Sequence, residues 1–106
     1  MSAQFNQIKS VEELNEVFAQ SKEKPVVLFK HSLTCPISAG VYEVVRNVEG
    51  EVHIVIMQNA REVSNEIAAR TGIRHESPQA IVLKDEKPIY HASHYDITAD
   101  EVNGNL

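Results

Sequence analysis

Apolar residues recur along the chain with two different periods, which predict its helices and strands. A first helix is expected over about residues 11–20, where apolar positions at helical spacing follow a capping box of Ser10 and Glu13. Residues 26–29 form a continuous apolar run behind Pro25, which is typical of a strand buried on both faces. The chain therefore begins with a helix followed by a buried strand.

The middle of the chain predicts a helix, a strand and another helix. After Pro36, apolar residues share one helical stripe at Ile37, Val41, Val44, Val45 and Val48. Gly50 is the expected stop of this helix, and residues 51–57 predict a second strand. Asn59 with Glu62 resembles a capping signal for a third helix, which Gly72 would end. The two strands and the helix between them should form a parallel βαβ unit.

The last third of the chain has the pattern of a hairpin followed by a short helix. Residues 79–84 and 89–95 predict antiparallel strands around a turn at 85–88, and Thr98 with Glu101 can cap a short terminal helix. The order α-β-α-β-α-β-β-α without repeat or linker predicts a single α/β domain over residues 1–106. Its sheet should be four-stranded and mixed, with flanking helices.

Composition excludes several classes of function. The chain has 106 residues and a formal net charge of -5 without a basic stripe, which argues against nucleic-acid binding. Its apolar runs are too short to span a membrane. One cysteine cannot form an internal disulfide, and residues 1–7 lack the pattern of a secretion signal. We therefore expect a cytoplasmic protein that binds neither nucleic acid nor membrane.

The single cysteine, Cys35, lies where the first strand gives way to a helix. Pro36 suits the first turn of that helix, so the thiol lies at the helix N-terminus, where free N–H groups favour a thiolate. Ser38, one turn later, could donate a hydrogen bond to this thiolate, and Thr34 could do so from the other side. The alternative is a buried, structural cysteine. We take Cys35 as the candidate nucleophile.

Five histidines raise the possibility of a metal site. His91 and His94 would point to opposite faces of a regular strand, which argues against a shared metal ion. His31 is a candidate for tuning the thiol or for packing beneath its loop. His53 and His75 are expected to be surface or structural residues. The sequence therefore predicts no metal site.

The order of elements, the cysteine after the first strand and a proline before the third strand resemble the thioredoxin superfamily. Residues 72–78 (Gly-Ile-Arg-His-Glu-Ser-Pro) are similar to the stretch that leads to the cis-proline of that superfamily. The resemblance implies a thioredoxin-like fold with a cis Ser77-Pro78 bond facing Cys35. Without it, a trans bond would be predicted, and Pro78 could simply begin an edge strand.

A narrower resemblance rests on Lys30-His31-Ser32 and Thr34-Cys35-Pro36-Ile37-Ser38, which resemble the signature of the YtxJ family of monothiol bacilliredoxins. It implies a redox-active thiol–disulfide oxidoreductase that takes bacillithiol from S-bacillithiolated proteins onto Cys35 during oxidative stress. Bacillithiol would be the co-substrate, with no bound cofactor. Because Ser38 stands where a second thiol would be, an external thiol or reductase must remove the bacillithiol from Cys35.

The same resemblance indicates which residues would bind substrate. Bacillithiol carries malate carboxylates, for which Lys30, Arg74 and Lys84 are candidate cations. A cis Pro78 would leave the backbone of Ser77 free to pair with an extended substrate.

Two other functions stay open. A monothiol thioredoxin-fold domain can carry an iron–sulfur cluster, although such glutaredoxins resemble Cys-Gly-Phe-Ser, which this chain lacks. The fold can also serve as a non-catalytic binding module.

Overall fold

The computed structural model describes residues 3–106; Met1 and Ser2, with which the predicted domain begins, lie outside the described residues. The elements in chain order are β1 Ala3–Gln7, α1 Val11–Gln20, β2 Val26–His31, α2 Pro36–Val45, β3 Gly50–Ile56, α3 Arg61–Thr71, β4 Gln79–Lys84, β5 Lys87–Ser93 and α4 Ala99–Gly104, with a 3₁₀ turn at His94–Asp96. None of the helices within residues 3–106 is long and apolar enough to cross a membrane.

The strands form one mixed sheet in the order β1-β3-β2-β4-β5. β3 pairs in parallel with β1 and β2, whereas β4 is antiparallel to β2 and β5. The parallel βαβ unit and the antiparallel hairpin are thereby confirmed, but the predicted number of four strands is wrong. β1 has the sequence Ala-Gln-Phe-Asn-Gln and buries its side chains only in part, because it is an edge strand.

Two apolar cores lie on the two faces of the sheet. On one face, Leu14 of α1 and Ile67 of α3 pack on Leu28 of β2. On the other face, α2 and α4 cover the sheet with Val41 and Val102, among other side chains. β2 is buried along its whole length and lies between the two cores. The loop that carries Cys35 therefore begins at the end of the central strand.

Several helix boundaries differ from the prediction. α2 ends at Val45, so Val48 of the predicted apolar stripe lies beyond the helix. Val44, another residue of that stripe, is 36% exposed. Gly50 begins β3 with φ +114° instead of ending the helix. The predicted cap at Asn59 is wrong, because α3 begins one residue later behind Ala60, whose methyl group cannot accept a hydrogen bond.

Other local signals are confirmed. The hydroxyls of Ser10 and Thr98 accept the N–H groups of Glu13 and Glu101 and cap α1 and α4. Gly72 ends α3 in the left-handed conformation with φ +72°.

The β4–β5 hairpin has a two-residue turn without glycine. Asp85 and Glu86 both adopt positive φ, 54° and 64°, as in the tight turns that match the twist of a hairpin. Buried Ser21 stabilises them, since its carbonyl oxygen accepts the N–H of Asp85 at 2.7 Å and its hydroxyl accepts that of Glu86 at 2.8 Å. β5 ends at Ser93, two residues earlier than predicted.

The Ser77-Pro78 peptide bond is cis, as the superfamily resemblance implied. A trans bond, the expectation without that resemblance, is wrong for this chain. The edge-strand alternative is also wrong, because β4, which follows Pro78, lies between β2 and β5.

Candidate functional site

Cys35 lies at the point where β2 has ended and α2 begins. It is the N-cap residue of α2, with extended backbone angles of φ −96° and ψ 119°, and Pro36 follows at the first helical position. The cysteine is partly exposed and makes no disulfide. The thiol therefore occupies the predicted place, at the positive end of a helix and within reach of solvent.

Groups at the start of α2 lower the pKa of the Cys35 thiol below its usual value. The backbone N–H of Ser38 contributes most, opposed by partial burial, and the N–H of Ile37 and the hydroxyl of Ser38 lower the pKa further. All three donors stabilise the charged form of the sulfur. The site thus raises the fraction of the thiolate, which is the form that attacks disulfides.

Ser38 joins the thiol to the preceding loop. Its side chain is fully buried, and its Oγ accepts the N–H of Ser32 at 3.3 Å while its hydroxyl can donate to the sulfur of Cys35. Ser38, which occupies the position of a second thiol, therefore has a structural role as well as a contact with the sulfur.

Replacing Ser38 with alanine should raise the pKa of Cys35, since one of the three donors is lost while both backbone N–H groups remain. The rise should be modest, because the two backbone N–H donors still stabilise the thiolate. The rate of alkylation by iodoacetamide, followed against pH, measures it. Thr34→Val is the matched control, and an equal shift in both variants would contradict the role of Ser38.

Gln58 braces the Cys35 loop, and sequence analysis missed it. Its Oε1 accepts the N–H of Leu33 at 3.1 Å, and its Nε2 donates to the hydroxyls of Ser32 at 3.0 Å and Thr34 at 3.3 Å. Thr34 therefore turns its hydroxyl toward Gln58. No sequence signal identifies Gln58, because it lies more than twenty residues beyond the loop that it holds.

The cis-proline lies at the same end of the sheet as the thiol. β2 pairs with β4 so that Lys30 is opposite Gln79, the residue that follows Pro78. The carbonyl oxygen of Pro78 accepts the N–H of His94 at 2.9 Å. The end of β2 and the cis-proline bend therefore lie at the same end of the sheet.

The three predicted cations occupy different environments. Lys30 is fully buried in β2, and its Nζ lies 3.3 Å from Nδ1 of His75. Lys84 lies at the end of β4 opposite to Pro78, near the carbonyl oxygen of Lys22. Arg74 is exposed on the loop before Pro78. Of these three cations, Arg74 is the one that is exposed beside the bend.

The histidines are dispersed. His31 is 8% exposed and packs against Tyr42, with ring centroids 5.3 Å apart, while burial lowers its pKa. His53 is buried beside Glu51, at 3.9 Å between Nε2 and Oε2. His94 lies in the 3₁₀ turn, so the strand argument used for His91 and His94 does not apply. Within residues 3–106, no three His, Cys, Asp or Glu side chains are grouped to hold a metal ion.

A groove of about 520 Å³ flanks the loop between the β1 edge and α2. Its lining includes Leu33, which is 63% exposed, and Ala39, one turn into α2 from Cys35. A largely apolar groove therefore lies beside Leu33 of the loop and the first turns of α2.

Comparison with known proteins identifies the family. The model of the monothiol bacilliredoxin BrxC family matches residues 6–102. The chain belongs to this family. It is a thiol–disulfide oxidoreductase, and the family match covers Cys35, Ser38 and the cis-proline bend in one segment.

Solved structures agree on the fold. A candidate oxidoreductase with a thioredoxin fold superposes with a TM-score of 0.86 at 28% identity, covering 95% of this chain and 92% of that one. A thioredoxin from Malassezia sympodialis gives 0.73 at 15% identity, covering 98% and 88%. A thioredoxin from Trypanosoma brucei brucei gives 0.73 at 14%, covering 97% and 88%. The chain has a thioredoxin fold.

Proposed function

We propose that this bacilliredoxin removes bacillithiol from S-bacillithiolated proteins by accepting it on Cys35. The observation that carries the proposal is a lone, partly exposed thiol with a lowered pKa at the N-terminus of α2. Membership of the monothiol bacilliredoxin family supports bacillithiol as the thiol that is transferred.

The transfer is one thiol–disulfide exchange. The Cys35 thiolate attacks the bacillithiol sulfur of the mixed disulfide, the bond between Cys35 and bacillithiol forms, and the client cysteine leaves as a thiolate. The number of disulfide bonds does not change, so no other oxidant or reductant enters this step. The donors on Ser38 and Ile37 hold the attacking charge at the helix N-terminus before the reaction.

In this proposal, the cis-proline bend orients the substrate. The backbone of Ser77 pairs with the extended backbone next to the mixed disulfide, as in strand addition. Arg74, exposed on the same loop, provides positive charge for the malate carboxylates. Thr34, Pro36 and His31 shape the surroundings of the thiol.

A second thiol must regenerate Cys35, since the chain contains one cysteine. Free bacillithiol or an external reductase attacks the disulfide on Cys35 and releases the thiolate. We infer that residues 1–106 act as one domain in the reducing cytosol, where such thiols are maintained.

Mass spectrometry tests the transfer directly. The protein is incubated with a bacillithiolated client protein, trapped with N-ethylmaleimide and digested. We expect the bacillithiol mass on the peptide that contains Cys35, together with a free thiol on the client. An unmodified Cys35 with the client still bacillithiolated would overturn the proposal.

A further inference from the structure

Lys30 is a fully buried lysine whose amine faces a histidine instead of a carboxylate. Its Nζ lies 3.3 Å from Nδ1 of His75, and the hydroxyl of Ser64 in α3 lies 3.0 Å from the same nitrogen. No carboxylate in residues 3–106 forms an ion pair with this amine. A buried ammonium without a counter-charge is costly, so the contact needs an explanation beyond packing.

The chemistry of the pair fixes where the protons are. Burial lowers the pKa of Lys30 to about 8, so the amine is mostly an ammonium at pH 7, and an ammonium can only donate. Partial burial and the charges of Lys30 and Arg61 lower the pKa of His75, against the opposing charge of Glu76. His75 is therefore neutral, with Nδ1 as the acceptor and its proton on Nε2.

The contact reaches the loop that carries the cis-proline. His75 lies in residues 72–78, three positions before Pro78, whereas Lys30 belongs to the central strand β2. Gln79, opposite Lys30 in the sheet, donates from Nε2 to the carbonyl oxygen of Arg74 at 3.0 Å. Lys30 and Gln79, which are buried opposite each other in the sheet, thus contact two successive loop residues, His75 and Arg74.

We propose that Lys30 is a positioning residue for the reaction: its buried amine, together with Ser64, holds neutral His75 and so fixes the loop that presents Ser77 and Pro78 to the substrate. The inference rests on the proposed function, in which the Ser77 backbone binds the substrate. Lys30 acts through His75 and touches no reacting atom.

Steady-state kinetics of transfer from a bacillithiolated client distinguish a positioning role of Lys30 from a purely structural one. His75→Leu and Lys30→Met should each raise KM about tenfold, the effect of losing one hydrogen bond to a charged group, with kcat within about twofold. His75→Asn should restore most of the affinity, since its amide oxygen can occupy the place of Nδ1. His91→Leu, an exposed histidine on β5, is the matched control and should leave KM unchanged.

Nitrogen-15 NMR of the imidazoles at pH 7 provides a readout that needs no substrate. The expected spectrum shows His75 as the Nε2–H tautomer in the wild-type protein and a mixture of tautomers in Lys30→Met. An Nδ1–H tautomer in the wild type, unchanged KM in both variants, or failure of His75→Asn to restore affinity would overturn the inference. A wild-type protein without transfer activity would instead overturn the proposed function, and the NMR result would still decide the Lys30–His75 contact.

Discussion

Replacing Cys35 with serine is expected to lower the rate of bacillithiol transfer on the order of a thousandfold, to the level of uncatalysed exchange. The reaction needs a thiolate that forms a new disulfide, and a hydroxyl at the same position can neither ionise near neutral pH nor form that bond. In the proposed mechanism, Ser77, Pro78 and the α2 N-terminus would still bind the client, but no nucleophile would remain. The measurement is the release of bacillithiol from a labelled client under reducing recycling conditions.

Ser38→Ala is the matched control for this loss, because it changes the same helix turn and keeps the thiol. It should retain kcat at a pH above the raised pKa of Cys35 and lose rate only at lower pH. Thermal unfolding should show Cys35→Ser as stable as the wild type, since Cys35 is partly exposed. A serine variant that still transfers bacillithiol would place the nucleophile outside this chain and contradict the assignment of Cys35.

Local sequence signals predicted the elements that local interactions decide. The capping pairs of α1 and α4 and the stop at Gly72 are formed by residues within four positions of each other, so the chain specifies them by itself. The apolar run of residues 26–29 also predicts a buried strand by itself. The strand extends further, over Lys30 and His31, which their hydropathy would exclude from a core.

Contacts between distant segments explain what the sequence did not reveal. β1 is a strand because β3 provides its hydrogen-bond partners, and its polar sequence carries no strand period. Gln58 and His75 become part of the site through folding, from segments 24 and 45 residues away from the groups they contact. The position of Cys35 at a helix N-terminus was predictable, whereas the side chains that brace its loop and the cis-proline loop were not.

Lys30→Met is expected to stabilise the fold at pH 7 while it weakens substrate binding. Burial lowers the pKa of Lys30 from 10.5 to about 8, so between these two pH values the unfolded state binds more protons than the folded state. The unfolding free energy of the wild type must therefore rise with pH across this window, and below it the buried ammonium costs about 3 kcal/mol. Methionine has a similar length and no charge to bury.

Urea denaturation at pH 7 and pH 10 measures this cost. After allowance for the lost contact with His75, Lys30→Met should be about 2 kcal/mol more stable than the wild type at pH 7, with a smaller difference at pH 10. Lys84→Met, the same change at a partly exposed lysine, is the matched control and should not stabilise the fold at pH 7. Parallel stabilities for Lys30→Met and wild type at both pH values would contradict a buried ammonium. A variant that is more stable yet binds substrate less well would show that this lysine is retained for its hold on the cis-proline loop, at the expense of stability.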